Sequence, residues 1–153
     1  MHIASSAFEH QGSIPAKYTC DGENISPPLI FSDVPDRAVS LVLLMDDPDV
    51  PKNLRADGMW DHWVVFNIDP STTEIPEGQA PPGTLGANTY EKNEYGGPCP
   101  PDREHRYFFK LFALDIQLSL ASGSTKIAVE EAMKEHIIDK AELIGLYNRP
   151  ENA

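Results

Sequence analysis

Cysteine is scarce: Cys20 and Cys99 are the only two in 153 residues. Two are too few for a disulfide scaffold, and they lack CxxC or zinc-ligand spacing. Basic charge is also short, with 12 Lys and Arg against 24 Asp and Glu, a formal net charge of −12. A nucleic-acid binder needs a basic footprint to neutralise phosphates, so no nucleic-acid partner is expected. The same field opposes docking on an anionic membrane surface. The longest apolar run, Leu41–Met45, falls far short of the ~20 residues of a membrane span, so no integral membrane association is expected. The opening MHIASSAFEHQGSIP has no basic region followed by an apolar one, which is not the pattern of a signal peptide and makes a cytoplasmic location the expectation. In such a reducing compartment the two cysteines should be free thiols. Were they paired, closing ~80 residues would contribute roughly 4–5 kcal/mol in the chain-entropy picture. GxSxG, HExxH, P-loop and GxGxxG motifs are all absent, and nothing in the sequence asks for a cofactor.

Proline is abundant instead, 14 residues. It cannot sit in helix interiors or central strands, so many residues must lie in ordered loops. With 41% hydrophobic and 24% charged residues, the composition is globular, and no repeat or linker divides residues 1–153, which read as one domain. Residues 14–36 carry loop punctuation around a short extended Leu29–Phe31. Val39–Met45 reads as a fully buried strand, and residues 52–59 as surface loop. His62–Ile68 and His105–Leu114 are two further strands. Residues 71–104 form a long Pro/Gly-rich stretch, which Tyr90, Tyr95 and the prolines mark as ordered and functional. One helix is expected over Lys126–Asp139, where Val129, Ala132, Met133, His136 and Ile137 share a face. Ser124 or Thr125 would cap it, while Lys126 opposes its dipole. On this pattern His136 packs in the core. Glu142–Tyr147 fits a helix extension or a last strand, and the strand is favoured. A mostly β sandwich or barrel follows.

The candidate site comes from strand ends. Asp47 lies just past the first strong strand, and the next two open with His62 and His105. If the three are antiparallel neighbours, Asp47, Asp49, His62 and His105 gather at one sheet edge beneath the 71–104 loop. Gly96-Gly97-Pro98 can bring backbone N–H groups there. Singly, each has a plainer reading: boundary histidines, a DPDxP turn, a Gly-Pro loop. Their coincidence at one end is what points to chemistry. Cys99, fixed between Pro98 and Pro100, reads as a packing residue of a rigid loop.

The strings CDGENISPPL (20–29), DDPDVP (46–51), WDHWVVFNI (60–68), YGGPCPP (95–101) and HRYFFKLFAL (105–114) resemble the phosphatidylethanolamine-binding protein (PEBP) family. The bacterial YbhB/YbcL-type, Raf kinase inhibitor-like branch is the nearer likeness. The resemblance implies a β-sandwich of antiparallel sheets with long ordered loops and one main helix near the C-terminus. It also implies an anion pocket for phosphate, phosphoethanolamine or a phosphorylated protein group. Carried over, that pocket would comprise Asp47, Trp60, His62, Gly97, Pro98, His105 and Tyr107, with Asp49 in support. His62, His105, Tyr107 and the Gly97 N–H would donate to phosphoryl oxygens, and Asp47 would hold a ligand proton or ammonium. The resemblance allows a homodimer. Asp102-Arg103-Glu104 departs from the glycines relatives often carry before the HRY string, and the eukaryotic C-terminal helix has no counterpart.

Three functions follow. A binding module without turnover is favoured, with modulation of a kinase or protease as a further expectation. The alternatives are a metal-dependent enzyme using Asp47, His62 and His105, and a serine protease inhibitor presenting the 76–101 loop.

Overall fold

A computed structural model describes residues 1–152. The strands are β1 (His2–Ala4), β2 (Gly12–Ser13), β3 (Leu29–Ser32), β4 (Ser40–Asp47), β5 (Trp60–Ile68), β6 (Glu74–Ile75), β7 (Thr84–Leu85), β8 (His105–Leu114) and β9 (Ile137–Tyr147), with one α-helix, α1 (Lys126–Met133). They form two sheets, one ordered β1-β3-β6 and the other β2-β9-β8-β4-β5-β7. The architecture is the expected mostly β sandwich and not a closed barrel. All pairings are antiparallel except β2 with β9.

Strand β4 is buried at all eight positions, which explains why its sequence does not alternate. Leu41, Leu43 and Met45 pack between the sheets with Phe31, Trp63 and Phe109. Val42 and Leu44 face the other way, under α1, with Val64, Phe66, Val129 and Met133. Burying one such Leu or Val side chain contributes about 1.5–3 kcal/mol. The interior cluster continues along β9 to Gly145, where a Cβ would come within 2.8 Å of both Ile14 and Phe8 side-chain atoms.

Four sequence expectations are corrected. The helix ends at Met133, because Glu135 adopts left-handed backbone (φ 68°) and Ile137 already pairs with Leu114. The helical period and the start of β9 place apolar residues at compatible spacings, which hid the boundary. His136 consequently lies outside the core, half-buried, with Nδ1 2.9 Å from Asp115 Oδ1. Asp47 is the last residue of β4 and not a residue beyond it. Cys20 and Cys99 are joined in a disulfide across 79 positions. The free-thiol expectation rested on compartment alone, whereas the fold brings the 20s loop against the 98–101 loop, where the Cys20 N–H donates to the Pro98 carbonyl at 3.1 Å.

Thr125, one of the two proposed caps, accepts from the Ala128 N–H at 3.2 Å. Lys126, unfavourable at a helix start, is explained by burial: its Nζ lies 3.0 Å from Asp46 Oδ2 and 3.0 Å from Asp61 Oδ1. Among the described residues no helix is long and apolar enough to cross a membrane.

Replacing Cys20 and Cys99 together by Ser should lower the unfolding free energy by about 4–5 kcal/mol, as expected for a loop of this length. Denaturant unfolding of the variant against the oxidised protein measures it. A loss below about 1 kcal/mol would show that the bridge contributes little beyond the contacts around it.

Candidate functional site

The register of the large sheet gathers three strand ends. Asp47 stands opposite Trp60, and Asp46 opposite Phe108. The pleat turns Asp47 toward the inter-sheet space, in line with Leu43 and Met45. His105 and Tyr107 share the same face of β8 as Phe109 and Leu111. A cavity of about 300 Å³ opens at this end of the sandwich. From the strands it is lined by Asp47, Trp60, His62, His105 and Tyr107. Val50 and Leu54 come from the loop after β4, and Tyr90, Cys99 and Pro101 from the loop before β8.

Five of the eight residues singled out from sequence thus line the cavity, and three do not. Asp49 is turned to Arg106, accepting Nε at 2.9 Å, Nη2 at 2.7 Å and the backbone N–H at 2.9 Å. The Arg106 guanidinium holds the Asp49 carboxyl below its ordinary range. Gly97 does not present its N–H to the cavity but donates it to Asn24 Oδ1 at 2.9 Å. Glycine is needed there because a Cβ would run into that side chain and the Tyr18 carbonyl. Pro98 gives its carbonyl to Cys20. The residues that sequence reasoning left out are the apolar walls, Val50 and Leu54, and the loop contributors Tyr90, Cys99 and Pro101. Only the aromatic and proline content of residues 71–104 signalled the latter.

His62 is buried, and its Nδ1–H donates to the Gly96 carbonyl at 2.6 Å. A carbonyl can only accept, so this contact sets the tautomer and leaves Nε2 with a lone pair when the ring is neutral. Burial lowers the pKa of His62 below its ordinary value, only partly opposed by Gly96 and Asp47. His62 is therefore foremost an acceptor here, not the donor anticipated from sequence. His105 is held at both nitrogens, Nδ1 to Asp47 Oδ2 at 2.6 Å and Nε2 to Asp102 Oδ1 at 2.7 Å. Burial opposes protonation of His105, but the two carboxylates outweigh it and hold its pKa above the ordinary value. Asp47 spends its other oxygen on the Asp49 N–H at 2.7 Å, so it orients His105 and braces its own loop. Tyr107 Oη and Trp60 Nε1 are buried without a hydrogen-bond partner among the described residues. Burial, then the nearby Asp47 charge, pushes the Tyr107 phenol up, so it is a neutral donor.

Among the described residues no group of three His, Cys, Asp or Glu is placed to hold a metal ion. The suggested Asp47–His62–His105 triad shares the cavity, but both nitrogens of His105 and Nδ1 of His62 already face protein acceptors. A larger hollow of about 490 Å³ lies beside Lys110, Phe112 and Lys140 on the outer face, with no histidine or unpartnered buried donor.

These strands and loops define a two-sheet β-sandwich with a histidine-lined cavity at one end. The chain belongs to the phosphatidylethanolamine-binding protein family, whose model matches residues 4–148. It is 50% identical over 149 residues to a UPF0098 protein of Chlamydia pneumoniae, covering 97% of this chain and 99% of that one. A UPF0098 protein of Methanothermobacter thermautotrophicus is 48% identical over 155 residues, covering 97% and 99%. Among solved structures, a phosphatidylethanolamine-binding protein homologue of Chlamydia trachomatis superimposes with a TM-score of 0.94 at 49% identity, covering 97% of each chain. Escherichia coli YbcL superimposes with a TM-score of 0.86 at 27% identity, covering 97% of this chain and 98% of that one.

The two cavity histidines should titrate in opposite directions. NMR of the imidazole signals is expected to place the His105 midpoint above about 6.5 and the His62 midpoint below it. Because His105 is raised in the folded state, its contribution to stability is complete below about pH 6.5 and lost as pH rises through its folded value. His62, lowered, instead penalises the folded state as pH falls below about 6.5. A His62 midpoint above that of His105 would contradict the assigned contacts.

Proposed function

We propose that this chain binds small phosphorylated ligands, taking a phosphoryl group into the cavity without turning it over. The observation that carries this reading is the pairing of two orphaned buried donors, Tyr107 Oη and Trp60 Nε1, with an acceptor histidine. Each buried, unpaired polar group costs about 1–3 kcal/mol, which a ligand that satisfies it returns. A phosphoryl group near neutral pH, with its second ionisation at about 6, carries both P–O acceptors and, in part, a P–OH donor. The acceptors suit Tyr107 and Trp60, and the P–OH suits His62 Nε2. A phosphoethanolamine ammonium would serve the same acceptor. Asp47 disfavours a fully ionised anion beside it, so the monoprotonated form is preferred. Nothing in the cavity forms an activated nucleophile: Cys99 is bridged, and neither histidine bonds a hydroxyl. Free phosphate esters and phosphorylated side chains share this chemistry. The cytoplasmic location expected from sequence is weakened by the disulfide, since such bridges are rare in reducing compartments.

NMR titration with inorganic phosphate and with O-phosphoethanolamine tests the reading. Saturable shifts are expected at His62 and His105, with His136 unmoved. His62→Ala should weaken binding roughly tenfold, the size of one hydrogen bond to a charged group. Unchanged phosphate affinity in that variant would sink the assignment.

A further inference from the structure

His105 has two carboxylates but only one belongs to the rigid scaffold. Asp47 comes from the end of β4 and its side chain is 4% exposed, whereas Asp102 comes from the loop before β8 and is 40% exposed. Of the cavity's N–H and O–H donors, Tyr107 Oη and Trp60 Nε1 have no partner, and His105 Nε2 has a partner that can swing away. The carboxylate has somewhere to go: Asp102 Oδ2 already lies 3.8 Å from Arg103 Nε, and both side chains reach solvent.

Resting on the phosphoryl-binding reading above, we propose that Asp102 is an internal stand-in for the ligand, occupying the anchoring point at His105 Nε2, and that it thereby selects phosphoryl groups over carboxylates. A carboxylate ligand would exchange one carboxylate for another at that nitrogen. It would also have to overcome the high effective concentration of a group tethered three residues away. A phosphoryl group has three terminal oxygens, so it can take His105 Nε2 and the unpartnered donors Tyr107 Oη and Trp60 Nε1 together. The His105 and Tyr107 rings lie stacked, with centroids 6.4 Å apart, and the His62 ring meets Tyr107 edge-on at 5.3 Å, so these groups flank one small space. Displaced, Asp102 moves toward Arg103 and the loop changes shape only at its exposed tip.

Calorimetry with inorganic phosphate and with acetate on the wild type, Asp102→Ala and Asp102→Asn decides it. Asp102→Ala should bind phosphate about tenfold more tightly than wild type, the cost of displacing one charge-assisted hydrogen bond. It should also narrow the preference for phosphate over acetate. Asp102→Asn should fall between, since the amide still fills the place without the charge. Adding His62→Ala to Asp102→Ala should remove most of the gain, showing that the ligand sits in this cavity. Wild type and Asp102→Ala binding phosphate equally would overturn the stand-in role while leaving the cavity reading intact. Failure of both proteins to bind phosphate would overturn the cavity reading and this proposal with it. Asp102 is an exposed loop side chain, so its variants should melt within a few degrees of wild type.

Discussion

Two successive carboxylates at the end of a fully buried strand set the terms for this structure. Asp46 and Asp47 are 1% and 3% exposed, and an ionised carboxylate so placed is costly unless paired. The pleat of β4 sends them to opposite faces, so each needs its own partners. Asp46 takes Lys110 and Lys126, each at 3.0 Å. Lys126 begins α1, and the ion pair docks that helix against the outer face of the sheet, outweighing the modest penalty of a cation at a helix start. Asp47 takes His105 and the Asp49 N–H. The position of the helix and the chemistry of the cavity therefore both hang on one strand terminus.

The second constraint is the wall made by residues 95–99. It is fixed by a run of contacts of different kinds. Tyr95 Oη donates to the Tyr18 carbonyl at 2.7 Å, the Gly96 N–H to the His62 carbonyl at 2.9 Å, and Gly97 to Asn24. The disulfide then ties Cys99 to Cys20. His62 and Gly96 exchange two hydrogen bonds, one through backbone and one through the ring. The loop therefore decides which nitrogen of His62 carries the proton. The prolines flanking Cys99 lower the entropy this segment loses on folding. A change in the 20s loop, far in sequence from either histidine, is in this way a change in the electronics of the cavity.

The central strands β4, β5 and β8 were legible from sequence because they are long and apolar, whereas β1, β2, β6 and β7, of two or three residues each, are too short to show a period. Gathering Asp47, His62 and His105 needed only that three consecutive strong strands pair antiparallel, which β4, β5 and β8 do. Asp49 and Asp47 look equivalent in DPDxP, yet a residue's partner depends on register, and Arg106 stands next to Asp49 only in the folded sheet. The Gly97 N–H was misjudged for the same reason: glycine signals a close approach but not what approaches. Periodicity could not find the end of α1, since His136 and Ile137 continue the apolar stripe while the backbone has already turned at Glu135. The disulfide joins positions 79 apart, and the tautomer of His62 is set by Gly96, 34 positions away; no local pattern records either pairing.

The overall charge of −12 is no obstacle to the phosphoryl binding proposed for the cavity, because distance weakens it. At physiological ionic strength exposed charges are screened beyond about 8 Å, so the field in the cavity is that of its neighbours. Of the chain's five arginines (Arg37, Arg55, Arg103, Arg106 and Arg149), three stand around this end of the sandwich. Arg55 lies over the Trp60 ring at 5.6 Å, Arg106 holds Asp49, and Arg103 adjoins Asp102. Each is matched by an aspartate, which leaves the rim near neutral and the interior governed by donors and acceptors rather than by net charge. Such a site gains little from long-range attraction and must discriminate by hydrogen-bond pattern. The buried phenol, indole and imidazole groups supply that pattern, and the rim arginines keep the carboxylates of the surrounding loops from imposing their own.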